Sequence, residues 1–463
     1  MQWQAGILRG HSGDCPHQVS KPCQSQPPPL VQPTNADFPH LTHAVSMAIT
    51  LEQVQSMILE AHRALQPIIP SVSTSRHKRD LSEFCSGTFD ESVLWMWHMC
   101  RTGIAVSIRE GKLKLFVPFC NTSYANMWSD RARSMLPCEG LPAHGWWANG
   151  WTLCGDKVSD QYWGDQGVCA IQNMILTACN HGIVSDCDFI INKRDSACVR
   201  RDKCDALNPI DAFQTPLHRP FRLIPVLSLY TGDQFSDVAM PLPCDWQRMM
   251  KCYYQAQRPV AYTAVADYVD WGSKRDCAVF RGGLTGTGAS PLTNQRMALL
   301  LRRSADFDVK GTSWNQRYKY CPVQKQIAMP MKCSALDVGC HNYLTLQEQQ
   351  SKYRYVVTAD GHSGADRLGA LMCGNQNILK ISPPQHALCP DTWVSQRVHA
   401  WQHYIPVRSD MADLEDKLQW ARSNEESCRF MREQCSYWSS HEKEDVLQWW
   451  TDITADMSKL PQQ

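Results

Sequence analysis

Twice in its second half the chain runs from a short β-rich segment through a glycine-bearing loop into a helix. Ala278-Val279-Phe280 reads as a strand, and Arg281 to Gly288 as a loop holding four glycines. Ser290-Pro291 then opens a helix around Met297 to Arg302, with Ser as N-cap and Pro at the first helical position. The order repeats as a strand over Tyr353 to Thr358, a loop over Asp360 to Gly364, a helix over Ala365 to Cys373 closed by Gly374, and a strand over Ile378 to Ile381. Two such units predict a parallel sheet, because parallel neighbours need a crossover long enough to hold a helix. Open sheets of this kind gather ligands beyond the carboxyl ends of their strands, which makes both loops candidate binding segments.

A chain of 463 residues exceeds what one hydrophobic core organises, and lobes of about 100 to 200 residues are expected. Residues 1–40, rich in Pro, Gln, Ser and His, lack periodicity and are expected to form a disordered tail. Residues 41–80 hold one amphipathic helix, Leu51 to Leu65, followed by a linker. Residues 81–255 are the expected first lobe, with a hairpin over Ile104 to Val117 turning at Arg109-Glu110-Gly111. A helix over Ile171 to Cys179 and a buried strand over Asp188 to Asn192 follow it. Residues 256–410 form the second lobe, and 411–463 are helical, with Trp420, Trp438, Trp449 and Trp450 as packing anchors. The expected fold class is α/β, with two Rossmann-like lobes, a cleft between them and a C-terminal helical segment.

Charge and cysteine spacing narrow the function. Lys plus Arg number 46 against 45 Asp plus Glu, so no field of one sign draws the chain to nucleic acid or an acidic membrane. No apolar run approaches the roughly 20 residues that span a bilayer, and Met1 to Asp14 lack the pattern of a secretory signal. A soluble intracellular location is expected on that basis, although 22 cysteines and the acceptor Asn121-Thr122-Ser123 would suit an oxidising lumen. Pairs as close as Cys198 with Cys204, or Cys333 with Cys340, are too widely spaced for a C-x2-C zinc knuckle, and no metal site is expected. An oxidoreductase would need a dinucleotide fingerprint followed by an acidic residue, and none is found.

Three segments carry candidate chemistry. In Arg281-Gly282-Gly283-Leu284-Thr285-Gly286-Thr287-Gly288 the glycines let backbone N–H groups approach an anion, and Arg281 adds a permanently charged fork. A flexible turn is the competing reading, since neither the P-loop spacing nor an unbroken G-x-G-x-x-G is present. Asp360, Gly361, His362, Ser363, Gly364, Ala365, Asp366 and Arg367 form a second such loop. A cation in the first turn of a helix opposes the macrodipole, so Arg367 points to a neighbouring anion, either Asp366 or a bound diphosphate. Asp195, after the strand ending at Asn192, is placed to act as a general base or to close a turn. Asp186 and Asp188 read as turn residues, His399 and His403 as core histidines, and Trp146, Trp147 and Trp151 as either sugar-stacking or buried aromatics.

Several segments, in order, resemble the CAP10 (protein O-glucosyltransferase-like) family. They are Trp271 to Arg281 with Lys274 and Phe280-Arg281-Gly282, Lys352 to Leu371 with Tyr355 and Arg367, and His403-Tyr404-Ile405-Pro406-Val407 with Asp410 and Leu414. Phe189 to Asp195 and Pro225 through Asp237 are similar as well. The resemblance implies a GT-B arrangement and an inverting, metal-independent transfer of a hexose or pentose, typically from UDP-glucose or UDP-xylose, to a hydroxyl on a protein or glycan. No cofactor beyond that co-substrate is implied. It puts the base at Asp195 and the diphosphate at Arg281 and Arg367, with Lys274, Gly282, Gly283 and Asp360 to Asp366 around the donor. The chain departs from the pattern in its longer Gly282 to Gly288 loop and in Asp366. A catalytically silent protein that binds a nucleotide sugar or glycan is the alternative.

Overall fold

The computed structural model describes residues 81–82, 84–85, 89–96, 100, 102–120, 165–194, 196–201, 222–250, 269–302, 304–315, 319–321, 326–328, 334–384, 387 and 389–461. The tail, helix and linker expected before residue 81, the Asn121 acceptor and the three tryptophans near residue 150 lie outside them. No helix among the described residues is long and apolar enough to cross a membrane.

The first sheet holds β1 (Thr102–Arg109), β2 (Lys112–Cys120), β3 (Cys187–Asn192), β4 (Val226–Ser228) and β5 (Val238–Ala239) in the order β2-β1-β3-β4-β5. The hairpin turns where expected, at Glu110 and Gly111, whose φ angles of 55° and 66° match the right-handed twist of the strands they join. β1 is antiparallel to β2 and β3, whereas β3, β4 and β5 run parallel. This sheet is therefore mixed. Helices α1 (Phe89–Trp95), α2 (Asp165–Asn180) and α3 (Pro243–Met250) belong to the same part of the chain.

The second sheet is parallel throughout, in the order β12-β11-β10-β6-β7. Its strands are β6 (Arg275–Gly283), β7 (Phe307–Ser313), β10 (Tyr353–Thr358), β11 (Asn377–Ile381) and β12 (Ile405–Val407), while β8 (Lys319–Cys321) and β9 (Gln326–Ala328) form a separate hairpin. The strand predicted at Ala278 to Phe280 is longer than expected and takes in Arg281. Helix α4 (Gln295–Leu299) is capped by Asn294, not by Ser290, because the Ser290 carbonyl is held in a turn by the N–H groups of Thr293 and Asn294. Helices α5 (Leu346–Lys352) and α6 (Leu368–Met372) flank β10, and α5 starts with a Thr345–Glu348 capping box.

The C-terminal segment is helical as expected, in α7 (Leu414–Ser423) and the 33-residue α8 (Glu425–Met457). Along α8 the buried positions Cys428, Met431, Cys435, Trp438, Glu442, Val446, Trp449 and Ile453 recur every three or four residues and form one stripe. That stripe joins the two sheets. One continuous core includes Val106, Phe189 and Leu227 of the first sheet, Val279, Val356 and Ile378 of the second, and Trp438 and Trp450 of α8.

Glu442 is the one charge on the stripe, and it meets a partner. Arg248 of α3 lies 2.7 Å from Glu442 Oε2 and 3.0 Å from Asp245 Oδ1, and donates to Cys373 Sγ at 2.9 Å. Helix α6 approaches so closely that a Cβ on Gly369 would stand 2.4 Å from Asp245 Oδ1. Two buried carboxylates share one guanidinium, and burial, opposed by Arg248, moves Glu442 from 4.5 up to about 8. The folded value exceeds the unfolded one, so this stability is complete below about pH 4.5 and is lost as the pH rises through about 8. Melting temperatures between pH 5 and 9 should fall with rising pH in the wild type, with a flatter profile for Glu442→Gln. Arg248→Met leaves the acids without a cation and should cost about 3 to 5 kcal/mol in denaturant titration.

Candidate functional site

β6 and β10 are neighbours in the parallel sheet, so the loops at their carboxyl ends face each other across one cavity lined by Thr285 to Thr287 and Asp360 to Ser363. Backbone conformation explains the glycines of the first loop: Gly286 and Gly288 have φ of 107° and 86°, where side chains are strained. A Cβ on Gly288 would also lie 2.1 Å from the Thr293 carbonyl oxygen. Asn294 completes this loop, with its carboxamide donating to the carbonyls of Thr285 and Gly288 at 3.1 and 3.2 Å and accepting from Met297 N at 3.1 Å.

Arg296, which the sequence reading did not single out, holds the two loops together. It donates to Gly283 O at 2.8 Å and Thr285 Oγ1 at 2.7 Å on one side, and to Ala359 O at 2.9 Å and Asp360 O at 3.0 Å on the other. Burial, with the Arg367 charge nearby, lowers its pKa to about 10. The signal for it was the one that marked Arg367, a cation in the first turn of a helix after a glycine-rich loop.

In the second loop Asp360 Oδ1 accepts from Ala365 N at 3.0 Å, while its other oxygen is buried and has no hydrogen-bond partner among the described residues. Desolvation raises its pKa. Gly361 N bonds the Ser363 carbonyl at 2.9 Å, and His362 Nε2 lies 3.2 Å from Asn315 Nδ2 after β7. Helix α6 begins later than expected, so Arg367 is its N-cap residue. The Arg367 guanidinium donates to the Arg281 carbonyl at 2.7 Å and stands 5.8 Å from the Phe280 ring centroid. Burial lowers its pKa.

Two candidates sit differently from the loop residues. The Arg281 side chain is buried and turned toward β7, where it donates to Asp308 O at 2.6 Å and Asp308 Oδ1 at 2.7 Å. Gly282 and Gly283 end β6 beside it, and a Cβ on Gly282 would meet Arg367 Nη2 at 3.4 Å. Lys274 precedes β6 and lies at the opposite end of that strand from the loops, contrary to the expectation that it joins them. Its ammonium donates to Gln350 O at 2.8 Å and to Asn375 O, and burial lowers its pKa to about 8. It is held as a packed structural cation.

Asp195 lies outside the described residues, but its neighbours show where the loop after β3 goes. Ala197 N donates to Cys389 Sγ at 3.4 Å, and the Cys389 carbonyl accepts from Gly364 N at 2.9 Å. Tyr230 OH, beyond β4, donates to Asp366, and Thr231 and Asp391 exchange backbone bonds at 2.9 and 3.0 Å. Loops from both sheets thus meet along one seam beside the cavity. Asp186 precedes β3 in a bend and accepts from Gly111 N, whereas Asp188, expected in the turn, lies within β3 and pairs with Arg109. His403 is buried and accepts from His399 N through Nδ1, with its pKa lowered by burial, whereas His399, expected in the core with it, is exposed.

Comparison with known proteins adds independent information. Residues 168–463 match the Glycosyl transferase family 90 profile. "Uncharacterized protein 035R" of Invertebrate iridescent virus 3 is 30% identical over 392 residues, covering 76% of this chain and 35% of that protein. "Protein O-glucosyltransferase 3" of Homo sapiens is 29% identical over 108 residues, 20% of either chain, and "O-glucosyltransferase LpsA" of Dichelobacter nodosus is 26% identical over 128 residues, 25% of this chain and 39% of that protein. The chain spans 34% to 39% of the length of the three viral relatives that match most of it.

Arg296→Met should leave buried carbonyls unpaired in both loops and cost about 2 to 4 kcal/mol. Hydrogen exchange should rise together in residues 284–288 and 359–364, and a rise confined to one loop would contradict the clamp.

Proposed function

The chain belongs to glycosyl transferase family 90, and on that premise we propose that it is an inverting, metal-independent glycosyltransferase moving glucose or xylose from a UDP-sugar to a hydroxyl on a protein or glycan. One observation supports this reading above the others: the loop holding Asp195 and the loop holding Arg367 are both bonded to Cys389. A proton acceptor and a cation on different sheets would then face the same space. The two sheets correspond to the two lobes of a GT-B enzyme, with α8 crossing back over the first.

In this mechanism the Asp195 carboxylate takes the proton of the acceptor hydroxyl as that oxygen attacks the anomeric carbon. Attack from the face opposite the diphosphate inverts the configuration. Arg367 stabilises the charge that develops on the leaving diphosphate. Arg281 steadies Arg367 through its carbonyl, while its own guanidinium is held by Asp308. The Thr285 to Thr287 and Asp360 to Ser363 loops, clamped by Arg296, line the nucleotide pocket.

A thermal-shift screen of UDP-sugars should identify the donor, since a ligand at 100 times its Kd stabilises the native state by about 2.7 kcal/mol. Asp195→Asn should abolish transfer with UDP affinity unchanged within about twofold, and Arg367→Ala should weaken UDP binding about tenfold or more, near 1.4 kcal/mol. Full turnover in Asp195→Asn would remove the base from the mechanism.

A further inference from the structure

The loop after β3 is held by a buried polar network that a simple turn does not need. Asn192 ends β3 and Ser228 ends β4, side by side in the parallel register. Asn192 Nδ2 donates to Ser228 Oγ at 3.0 Å and to Ser196 O at 2.7 Å, while its Oδ1 accepts from Arg194 N at 3.0 Å. Ser228 Oγ in turn donates to Asp237 Oδ1 at 2.5 Å. Asp237 also accepts from Cys198 N at 2.9 Å and Cys198 Sγ at 3.4 Å through Oδ1, and from Val199 N at 2.6 Å through Oδ2. Asn192 and Ser228 are fully buried, and Asp237 is 4% exposed.

The Ser228, Cys198 and Val199 donors to the Asp237 carboxylate are all neutral, so hydrogen bonds offset the cost of desolvating it. Burial raises its pKa, and those bonds oppose the rise. The bonds fall on residues 194, 196, 198 and 199, on both sides of Asp195. We infer that Asn192, Ser228 and Asp237 are positioning residues that fix the loop carrying the proposed base, so that their loss slows the chemical step and spares donor binding. The inference rests on the assignment of Asp195 as base.

Asp237→Asn is the sharpest test. However the amide turns, its NH2 opposes either the Val199 N–H or the donors from Cys198 and Ser228, so the loop must shift while side-chain volume is conserved. In the full chain this variant should lower kcat for UDP-glucose or UDP-xylose at least tenfold at saturating donor. The Kd for UDP should stay within twofold, and amide exchange should rise in residues 194–199. Ser228→Ala, which keeps the carboxylate, should give a smaller fall and serves if Asp237→Asn does not fold. Ile175→Ala, in the core under α2, controls for lost stability and should leave kcat near wild type below its melting range. Turnover of Asp237→Asn and Ser228→Ala within twofold of wild type, with Asp195→Asn inactive, would overturn the positioning role and leave the base in place. An active Asp195→Asn would overturn both.

Discussion

A buried guanidinium on α3, Arg248, fixes the relation between the two sheets. Its partners are Asp245 three residues away, Cys373 beyond α6 and Glu442 on α8. The apolar stripe of α8 supplies most of the burial, but apolar contact is non-directional and tolerates sliding. A buried hydrogen-bonding group on that stripe does not, because a displaced Glu442 would lose its bond to Arg248 in a low-dielectric interior. The cluster thereby sets the register in which α8 crosses both sheets, and with it the alignment of the loops that meet at the seam.

Arg296 performs a similar task within the second sheet. Four of its bonds end on two loops more than 60 residues apart in sequence, at the carboxyl ends of neighbouring strands. Backbone carbonyls face it from both sides, so one guanidinium fixes the separation of the two loops. Positive φ at Gly286 and Gly288 gives the first loop the turn that this arrangement requires. A glycine-rich loop becomes a shaped wall of the cavity, and not a flexible tether, through this one side chain.

The strands and the hairpin were legible because their signals are local: runs of β-branched and aromatic residues, and a turn at Glu110-Gly111. The loops were legible for the same reason. What the sequence hid was partnership across distance. Arg281 looks available to an anion until β7 supplies Asp308, 27 positions on. Lys274 stands close to Arg281 in sequence, yet an extended strand of seven residues places them over roughly 20 Å apart. Ser290-Pro291 carries the local signature of a helix start, but Asn294 wins the cap by bonding Thr285, Gly288 and Met297 together. The continuous core across both sheets was likewise hidden, since a periodic apolar stripe does not say what it will cover.

Contacts between the sheets differ in kind from one side of the molecule to the other. Around α8 they are apolar apart from the Arg248 cluster, and include Trp246, Leu371 and Trp450. Beside the cavity hydrogen bonds run from Tyr230 to Asp366, between Thr231 and Asp391 and from Ala197 to Cys389, over a smaller buried cluster that includes Ala197, Tyr230, Leu242 and Cys389. Each hydrogen bond is worth about 0.5 to 1.5 kcal/mol net and is replaceable by water. Apolar area, at about 25 cal/mol per Å², has no such substitute. The seam is thus held by directional bonds around a small apolar cluster, and the α8 side by a larger apolar area. Asp366, unexpected beside Arg367, has a place in that arrangement: its bond to Tyr230 ties the first sheet to the loop that carries the cation proposed to meet the diphosphate.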